Sequence, residues 1–369
     1  MKKNNNVNAF LALVRAGLWE QDVMLSEFNN IDYREIYRLS EEQSVTGLVA
    51  AGLEHVIDVN IPQEITLVFV GNALQLEKRN LEMNVFVSSL IEKMRKADIY
   101  TLLVKGQGIA QCYERPLWRA CGDVDLFLSQ NNYLKALSFL KIIASSLSDE
   151  ESYKQHQGMT IGSWKVELHG TMRADITNKM DSGIDEVQNC VFYYGEVRSW
   201  LNGNTQIFLP EQNCDLIFVF THILHHLYEG GVGLRQICDL CRLLWTYNNT
   251  IKISLLETRL RKMGIMTEWK SFAAFLSDYL GVPADIIPLY STNKKWSRKS
   301  KHILSFVLET GNFGHNRDYS YYGKYPLVWQ KLISLWRKTK DMRKLFYISP
   351  TNTCRYFLRF FANGVKAVF

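Results

Sequence analysis

Two aspartates two positions apart are the first residues of this sequence whose spacing could support chemistry. Asp123 and Asp125 lie in the largely apolar run 123–128, which predicts a buried strand. Because side chains alternate along a strand, both carboxylates point to one face, while Val124 and Leu126 point to the other. Adjacent carboxylates repel each other unless a cation lies between them, and hard divalent ions such as Mg²⁺ take such oxygen ligands. An isolated Asp-x-Asp is common without a metal. Whether this one binds a metal therefore depends on the residues around it.

A third carboxylate is expected from a later hairpin. Residues 159–161, the Gly162-Ser163 turn and residues 165–169 predict two antiparallel strands. In the second strand the same alternation places Glu167 and His169 on one face. If this strand neighbours the aspartate strand, Glu167 reaches the predicted metal site.

Positive charge and a glycine turn precede the aspartates. The run 99–104 predicts a buried strand that ends in Lys105-Gly106, and Arg119 comes shortly before Asp123. A glycine at a strand-to-helix turn lets backbone N–H groups approach a phosphate, and Lys105 and Arg119 would add positive charge. The simpler interpretation is a solvated lysine beside an ordinary turn.

The surrounding pattern is helical on both sides of this predicted sheet. Apolar residues recur at helical spacing through the first hundred residues, and the helical pattern returns at Glu211 and continues to about Leu280. A further strand pair is expected at 191–200 and 206–209. The sequence therefore predicts four regions: a helical N-terminal region (1–98), an α/β core (99–210), a helical subdomain packing on the core (211–290), and a basic, aromatic-rich helical C-terminal region (291–369).

These motifs resemble those of the DNA polymerase β-type nucleotidyltransferase superfamily. The resemblance rests on the residues 102–106, Arg119-x-x-Gly122-Asp123-Val124-Asp125-Leu126, and Val166-Glu167-Leu168-His169. More narrowly, the sequence resembles the bacterial family of uncharacterised nucleotidyltransferases. A helical stretch adds to the likeness through Asp215, His222, His225, Arg235 and Asp239.

The resemblance implies an α+β fold in which helices flank a nucleotidyltransferase-like mixed sheet. It implies two Mg²⁺ ions held by Asp123, Asp125 and Glu167, with Glu167 as the general base for an attacking hydroxyl. The expected reaction moves a nucleoside monophosphate from a nucleoside triphosphate to an unidentified acceptor hydroxyl or phosphate. The residues expected to bind substrate or phosphate are Lys105, Gly106, Gln107, Arg119, His169 and Arg235.

Two other functions stay open. Members of the superfamily usually have Gly-Gly or Gly-Ser at the turn where this chain has Gly106-Gln107. The fold could therefore serve as a non-catalytic binding or regulatory module. Alternatively, the enzyme could act on nucleic acid, which predicts strongly salt-dependent binding to RNA or DNA.

Three features of the helical part have simpler interpretations. Cys238-x-x-Cys241 lies in a helical pattern and is interpreted as core thiols rather than a zinc site. The glycines of 230–233 are interpreted as a turn between helices, because no Lys-Ser/Thr pair follows them. Arg235 and Asp239 are four residues apart on the next helix and are expected to pair.

Charge divides the chain unevenly. The 369 residues carry 43 Lys and Arg against 37 Asp and Glu, a net charge of +6. Residues 291–369 hold 16 Lys and Arg against 3 Asp and Glu, a net of +13, which leaves −7 for residues 1–290. The basic end predicts contact with an anionic membrane surface or nucleic acid, or else a solvated helical face. The seven scattered cysteines and the lack of a long apolar run predict a cytoplasmic protein without a transmembrane segment.

Overall fold

The computed structural model of the chain describes residues 2–148, 155–317, 320 and 324–366. In these residues it shows the predicted α+β fold, with a five-stranded mixed sheet, a separate two-stranded hairpin and flanking helices. The strands are β1 (Leu102–Val104), β2 (Asp123–Phe127), β3 (Ser146–Leu147), β4 (His156–Ile161), β5 (Trp164–His169), β6 (Val197–Asn202) and β7 (Thr205–Pro210). The helices are α1 (Lys2–Trp19), α2 (Tyr33–Glu42), α3 (Thr46–Glu54), α4 (Gln63–Lys96), α5 (Gly106–Ala110), α6 (Gln130–Lys141), α7 (Asn178–Tyr194), α8 (Gln212–Glu229), α9 (Leu234–Thr246), α10 (Ile253–Met263), α11 (Met266–Leu280), α12 (Lys294–Thr310), α13 (Leu327–Ile348) and α14 (Pro350–Lys366).

The N-terminal helices pack closely because two glycines face each other where α1 and α3 cross. A Cβ atom on Gly17 would lie 1.9 Å from the carbonyl oxygen of Leu48, and one on Gly52 would lie 2.1 Å from that of Leu13. Any larger residue at either position would force the two helices apart.

The large sheet has the strand order β1-β2-β5-β4-β3. The β2 and β5 strands are parallel, and the other neighbours in this sheet are antiparallel. Asp125 lies in register with Glu167, and Phe127 with His169. The hairpin of β4 and β5 is therefore as predicted, and the condition that its second strand neighbours the aspartate strand is met.

The alternation predicted for these strands also holds. Val124, Leu126, Val166 and Leu168 are fully buried in a core between the sheet and the helices α4 and α6. Their carboxylate-bearing neighbours line a cavity instead. Burial of the apolar set on one face thus fixes the register that brings the acidic residues together.

Two predicted strand starts are wrong. The first strand begins at Leu102 rather than Ile99, because the N–H of Ile99 still bonds the carbonyl of Met94 at the end of α4. The second hairpin begins at Val197 rather than Val191. Val191 belongs to the buried face of α7, which ends only at Gly195 with a left-handed φ of 67°.

The C-terminal helices pack against the helical part of the fold. The Nζ of Lys338 donates to the carbonyl oxygens of Tyr228 and Glu229 at the end of α8, at 2.6 and 2.9 Å. The amide of Asn352 donates to the carbonyl of Gly264 at 2.9 Å. Among the described helices, none combines the length and the apolar character needed to cross a membrane.

Candidate active site

The predicted carboxylates meet at one cavity of about 580 Å³. Asp123 and Asp125 reach it from β2, and Glu167 reaches it from β5. Each is placed by the strand alternation, so the same backbone that buries the apolar residues aims the acidic ones into the cavity. Lys105 and His169 line the same cavity.

Asp125 is held as an anion by two neighbours. The Nζ of Lys105 donates to its Oδ1 at 2.9 Å, and the Nε2–H of His169 donates to the same oxygen at 2.8 Å. Burial alone would raise the pKa of Asp125, but Lys105 and His169 hold it well below its ordinary value. Burial opposes the charge of Lys105 as well, yet Asp125 and Glu167 raise the lysine pKa. The pair is therefore a buried ion pair.

Asp123 has the opposite electrostatic surroundings. The negative charge of Asp125, then burial and the charge of Glu167, raise its pKa from 3.8 to about 6. Lys105 and Arg235 counter this effect only in part. The cavity lining thus has too little positive charge near Asp123, and a divalent cation would supply it.

Glu167 lies between two histidines. Its Oε2 is 3.2 Å from the Nε2 of His156 and 3.6 Å from the Nε2 of His169. Burial alone would raise its pKa, but the hydrogen bond from His156 and the charge of nearby His169 lower the pKa overall. His156 was missed in the sequence. It is the first residue of β4 and pairs in register with His169, so a hairpin extended towards its N-terminal end would have located it.

The turn after β1 reaches the cavity through Lys105 and Gly106 but not through the side chain of Gln107. Lys105 has φ 56° and Gly106 has φ 31°, so the chain turns sharply where the strand ends. Gln107 is buried and its Nε2 donates to Asn80 Oδ1 at 3.1 Å. The sequence-based placement of the Gln107 side chain at the phosphates is therefore not matched, because its amide is used inside the core.

Arg119 makes a bidentate ion pair that the sequence did not predict. Its Nε and Nη2 donate to the two carboxylate oxygens of Asp239 at 2.7 and 2.6 Å, and the hydroxyl of Tyr113 donates to Asp239 at 2.7 Å. Arg119 is 5% exposed. Although Arg119 borders the cavity, Asp239 takes its Nε and Nη2 donors. The expected pairing of Arg235 with Asp239 is wrong, because Arg119 takes both oxygens.

Arg235 lines the cavity and is left incompletely bonded. Its Nη1 donates to the carbonyl of Ala120 at 3.0 Å, while its buried Nε has no hydrogen-bond partner among the described residues. Burial and then the charge of Arg119 lower its pKa. The guanidinium lies over the ring of Phe313, with 5.6 Å from Cζ to the ring centroid.

Three histidines of α8 line another part of the same cavity. The Nε2 atoms of His222 and His226 are 3.0 Å apart, so one ring donates to the other. The Nδ1–H of His225 donates to the carbonyl of Ala174 at 2.8 Å. Burial lowers the pKa of His226 to about 3 and that of His222 well below its usual value. At neutral pH this pair is uncharged.

The predicted core thiols and the predicted glycine turn are both found in the described structure. Cys238 and Cys241 are fully buried, and burial raises the pKa of both thiols. Neither belongs to a group of three or more potential metal ligands in the described residues. Residues 230–233 form the turn between α8 and α9.

The structure combines a mixed sheet, acidic residues on its adjacent strands β2 and β5, and a lysine-glycine turn beside them. The chain belongs to the family described as uncharacterised nucleotidyltransferase, whose model matches residues 29–281. This membership supports nucleotidyl transfer as the general activity.

One solved structure is also similar to this chain. It is an antigenic nucleotidyltransferase-like protein from Paracoccidioides brasiliensis, with 14% sequence identity and a TM-score of 0.32, and the match covers 55% of this chain and 93% of that one. No curated protein matches the sequence.

Proposed function

We propose that this protein is a Mg²⁺-dependent nucleotidyltransferase that transfers a nucleoside monophosphate from a nucleoside triphosphate to an acceptor hydroxyl or phosphate. The observation that carries the proposal is the register of β2 and β5, which aims Asp123, Asp125 and Glu167 into one cavity. The raised pKa of Asp123 supports it, because three carboxylates meet there with too little positive charge.

The donor set fits Mg²⁺. Carboxylate oxygens on adjacent strands are the hard ligands this ion prefers, and substrate phosphates complete its coordination in such sites. Asp123, Asp125 and Glu167 would hold two ions. When bound, the ions would neutralise phosphate charge and favour ionisation of the attacking hydroxyl.

The chain's own residues then have distinct roles. Glu167 would take the proton of the acceptor hydroxyl, since its carboxylate is ionised at neutral pH and faces the cavity. Lys105 and Arg235 would bind phosphate oxygens, and Gly106 leaves room for them at the turn. His169 would fix the orientation of Asp125 through its 2.8 Å hydrogen bond.

One observation favours the alternative of a non-catalytic binding module. Asp125 Oδ1 already accepts hydrogen bonds from Lys105 and His169, so an ion at that oxygen competes with both. A module of this kind would bind a nucleoside triphosphate without releasing pyrophosphate. An enzyme directed at nucleic acid would instead add a nucleotide to an RNA or DNA end.

The test uses Asp123→Asn, with Asp285→Asn at an exposed position as the matched control. Calorimetry with ATP, GTP, CTP and UTP, with and without Mg²⁺, measures binding, and pyrophosphate release measures turnover. We expect Mg²⁺-dependent binding in wild type and in the control, and a loss of about a hundred-fold or more in turnover for Asp123→Asn. If wild type binds none of the four with Mg²⁺, the proposal is wrong. Binding without pyrophosphate release, across a panel of acceptors that includes RNA and DNA, would identify the non-catalytic module.

A further inference from the structure

A strained turn outside the family-matched residues presents an aromatic ring to the cavity. Phe313 has φ 53° and ψ 26°, in the left-handed region that bulky residues rarely adopt. It is 51% exposed, and it lines the cavity together with Asp123 and Glu167. A large apolar side chain held exposed by an unfavourable backbone conformation points to a function other than packing.

The rest of the fold holds this turn in place. The amide of Asn312 donates to the hydroxyl of Ser44 at 2.8 Å, and Gly311 and Gly314 have φ values of 69° and 72°. On the opposing loop, a Cβ on Gly231 would lie 2.8 Å from the backbone nitrogen of Gly314. That glycine therefore lets the turn approach closely, and the position of Phe313 is fixed from both sides.

The ring lies beside one of the groups proposed to bind phosphate. The guanidinium of Arg235 lies over the ring of Phe313, and both residues line the cavity together with Asp123. The ring of His226 also lies against Phe313, with ring centroids 4.7 Å apart in an edge-to-face arrangement.

Charged and uncharged side chains both line the cavity. Lys105, Asp123 and Glu167 are charged groups of the lining, whereas His222 and His226 are uncharged at neutral pH, because burial lowers the pKa of both. A nucleoside triphosphate likewise combines a charged triphosphate with a neutral flat base.

We infer that Phe313 is the platform on which the base of the nucleoside triphosphate stacks, with Arg235 against the ring and the His222–His226 pair beside it. Stacking on an aromatic side chain tolerates any base, because every base has a π-face. This inference rests on the proposed function, since it assigns the base of the same substrate. It predicts that the ring of Phe313 contributes to binding of the nucleoside but not of the phosphates.

The experiment compares two ligands on a set of variants by calorimetry in the presence of Mg²⁺. The ligands are whichever of ATP, GTP, CTP and UTP wild type binds most tightly, and inorganic tripolyphosphate, which has no base. The variants are Phe313→Gly, Phe313→Leu and Phe313→Trp, with Trp329→Ala as a control at an exposed aromatic outside the cavity.

We expect Phe313→Gly and Phe313→Leu to weaken nucleotide binding about ten-fold and to leave tripolyphosphate binding unchanged. Phe313→Trp and Trp329→Ala should bind both ligands as wild type does. Phe313→Gly also relieves the backbone strain, so its thermal unfolding midpoint should not fall, whereas a packing role predicts a lower midpoint. Equal nucleotide affinity in Phe313→Gly and wild type would overturn the inference while leaving the proposed function intact. Failure of wild type to bind any nucleotide would overturn the proposed function itself.

Discussion

The Nζ of Lys105 lies 2.9 Å from Oδ1 of Asp125. This buried ion pair helps to give the two aspartates of one strand different pKa values. Asp125 has a lysine and a histidine as donors and stays ionised. Asp123, two residues earlier, faces the charge of Asp125 and has a pKa raised to about 6. The site therefore supplies the cation of Lys105 to Asp125, whereas Asp123 has too little positive charge beside it.

Asp123→Asn should stabilise the metal-free protein at pH 7.5. In the native state Asp123 keeps its proton up to about pH 6, whereas in the unfolded chain it loses it near 3.8. The native state thus binds more protons than the unfolded chain between these pH values. The stabilising contribution of Asp123 is therefore present below pH 3.8 and is lost as the pH rises through 6. Removing the charge should raise the free energy of unfolding by about 1–3 kcal/mol at pH 7.5. Urea titrations at pH 4 and 7.5 measure the difference.

With Mg²⁺, wild type should instead be more stable than Asp123→Asn. Under the proposed function the ion would stabilise wild type because it would bind only the native carboxylates, and Asp123→Asn should lose most of that gain. Asp285→Asn, at an exposed position, should follow wild type in both conditions. An Asn variant that is less stable than wild type without metal would contradict the electrostatic account.

Lys105 and Asp125 should depend on each other for stability. Asp125→Asn leaves Lys105 without its hydrogen-bonded anionic partner, and Lys105→Met leaves Asp125 Oδ1 with the hydrogen bond from His169. Each single variant should lose about 3–5 kcal/mol of unfolding free energy, because it strands a buried charge. The double variant should lose less than the sum of the two, and a double-mutant cycle by urea unfolding measures that coupling. Additive losses would show that the ion pair contributes little.

Much of this site follows from the sequence because it depends on strand alternation. The apolar residues between Asp123 and Asp125, and those around Glu167, must face the core, so the acidic residues must share the other face. The parallel pairing of β2 and β5 was then the one condition needed. Lys105 and Gly106 could also be placed, because a strand that ends in Lys-Gly fixes where the turn lies.

The contacts that the sequence did not predict join segments far apart in the chain. Arg119 and Asp239 are 120 positions apart, and no local pattern favours that pairing over the nearby Arg235. Phe313 is likewise placed by tertiary contacts of its turn, in a stretch that shows no regular periodicity. Helical and strand periods report burial within one element, and they carry no information on which elements meet.

Two arginines of the cavity should respond differently to substitution. Arg119→Ala leaves Asp239 buried with only the Tyr113 hydroxyl, so it should lose about 3–5 kcal/mol of unfolding free energy. Arg235→Ala breaks one hydrogen bond to a carbonyl and should lose only about 1 kcal/mol, while weakening triphosphate binding. Urea unfolding and calorimetry with tripolyphosphate and Mg²⁺ separate the two effects. A stable Arg119→Ala variant would show that this residue is not structural.

The protein should lose stability in acid partly through His226. Burial, then the positive charges of His225, Lys105 and Arg235, lower its pKa to about 3, against a smaller opposing effect of Glu229. The unfolded chain binds this proton near pH 6.5, so the stabilising contribution is present above 6.5 and is lost as the pH falls towards 3. His226→Asn should therefore show a smaller loss of unfolding free energy between pH 7.5 and 4.5 than wild type.

The matched control for this measurement is His315→Asn, at an exposed position. It should keep the acid sensitivity of wild type. If His226→Asn and His315→Asn both behave as wild type does, the buried His222–His226 pair is not a source of the acid sensitivity.

The basic C-terminal region is proposed to contact an anionic partner through charges that the fold itself leaves exposed. Lys338 and Arg359 are used internally, on carbonyls of α8 and on the carboxylates of Asp175 and Asp181. Deleting residues 331–369 would therefore remove structural contacts along with the surface charges. Substitution of single exposed residues is the sharper experiment.

Lys340 and Arg343 are exposed on the same helix α13 as Trp329 and Trp336, which are 59% and 67% exposed. Lys340→Glu with Arg343→Glu should weaken binding to vesicles of phosphatidylglycerol and phosphatidylcholine, or to a single-stranded RNA, by about ten-fold or more, because the reversal repels phosphate groups. Co-sedimentation measures binding to the vesicles and fluorescence anisotropy measures binding to the RNA, each at two salt concentrations. The matched double variant Lys78→Glu with Lys93→Glu, exposed on α4, should bind as wild type does. If reversal on α13 changes neither binding, the charges form a solvated face and the anionic partner is excluded for this helix.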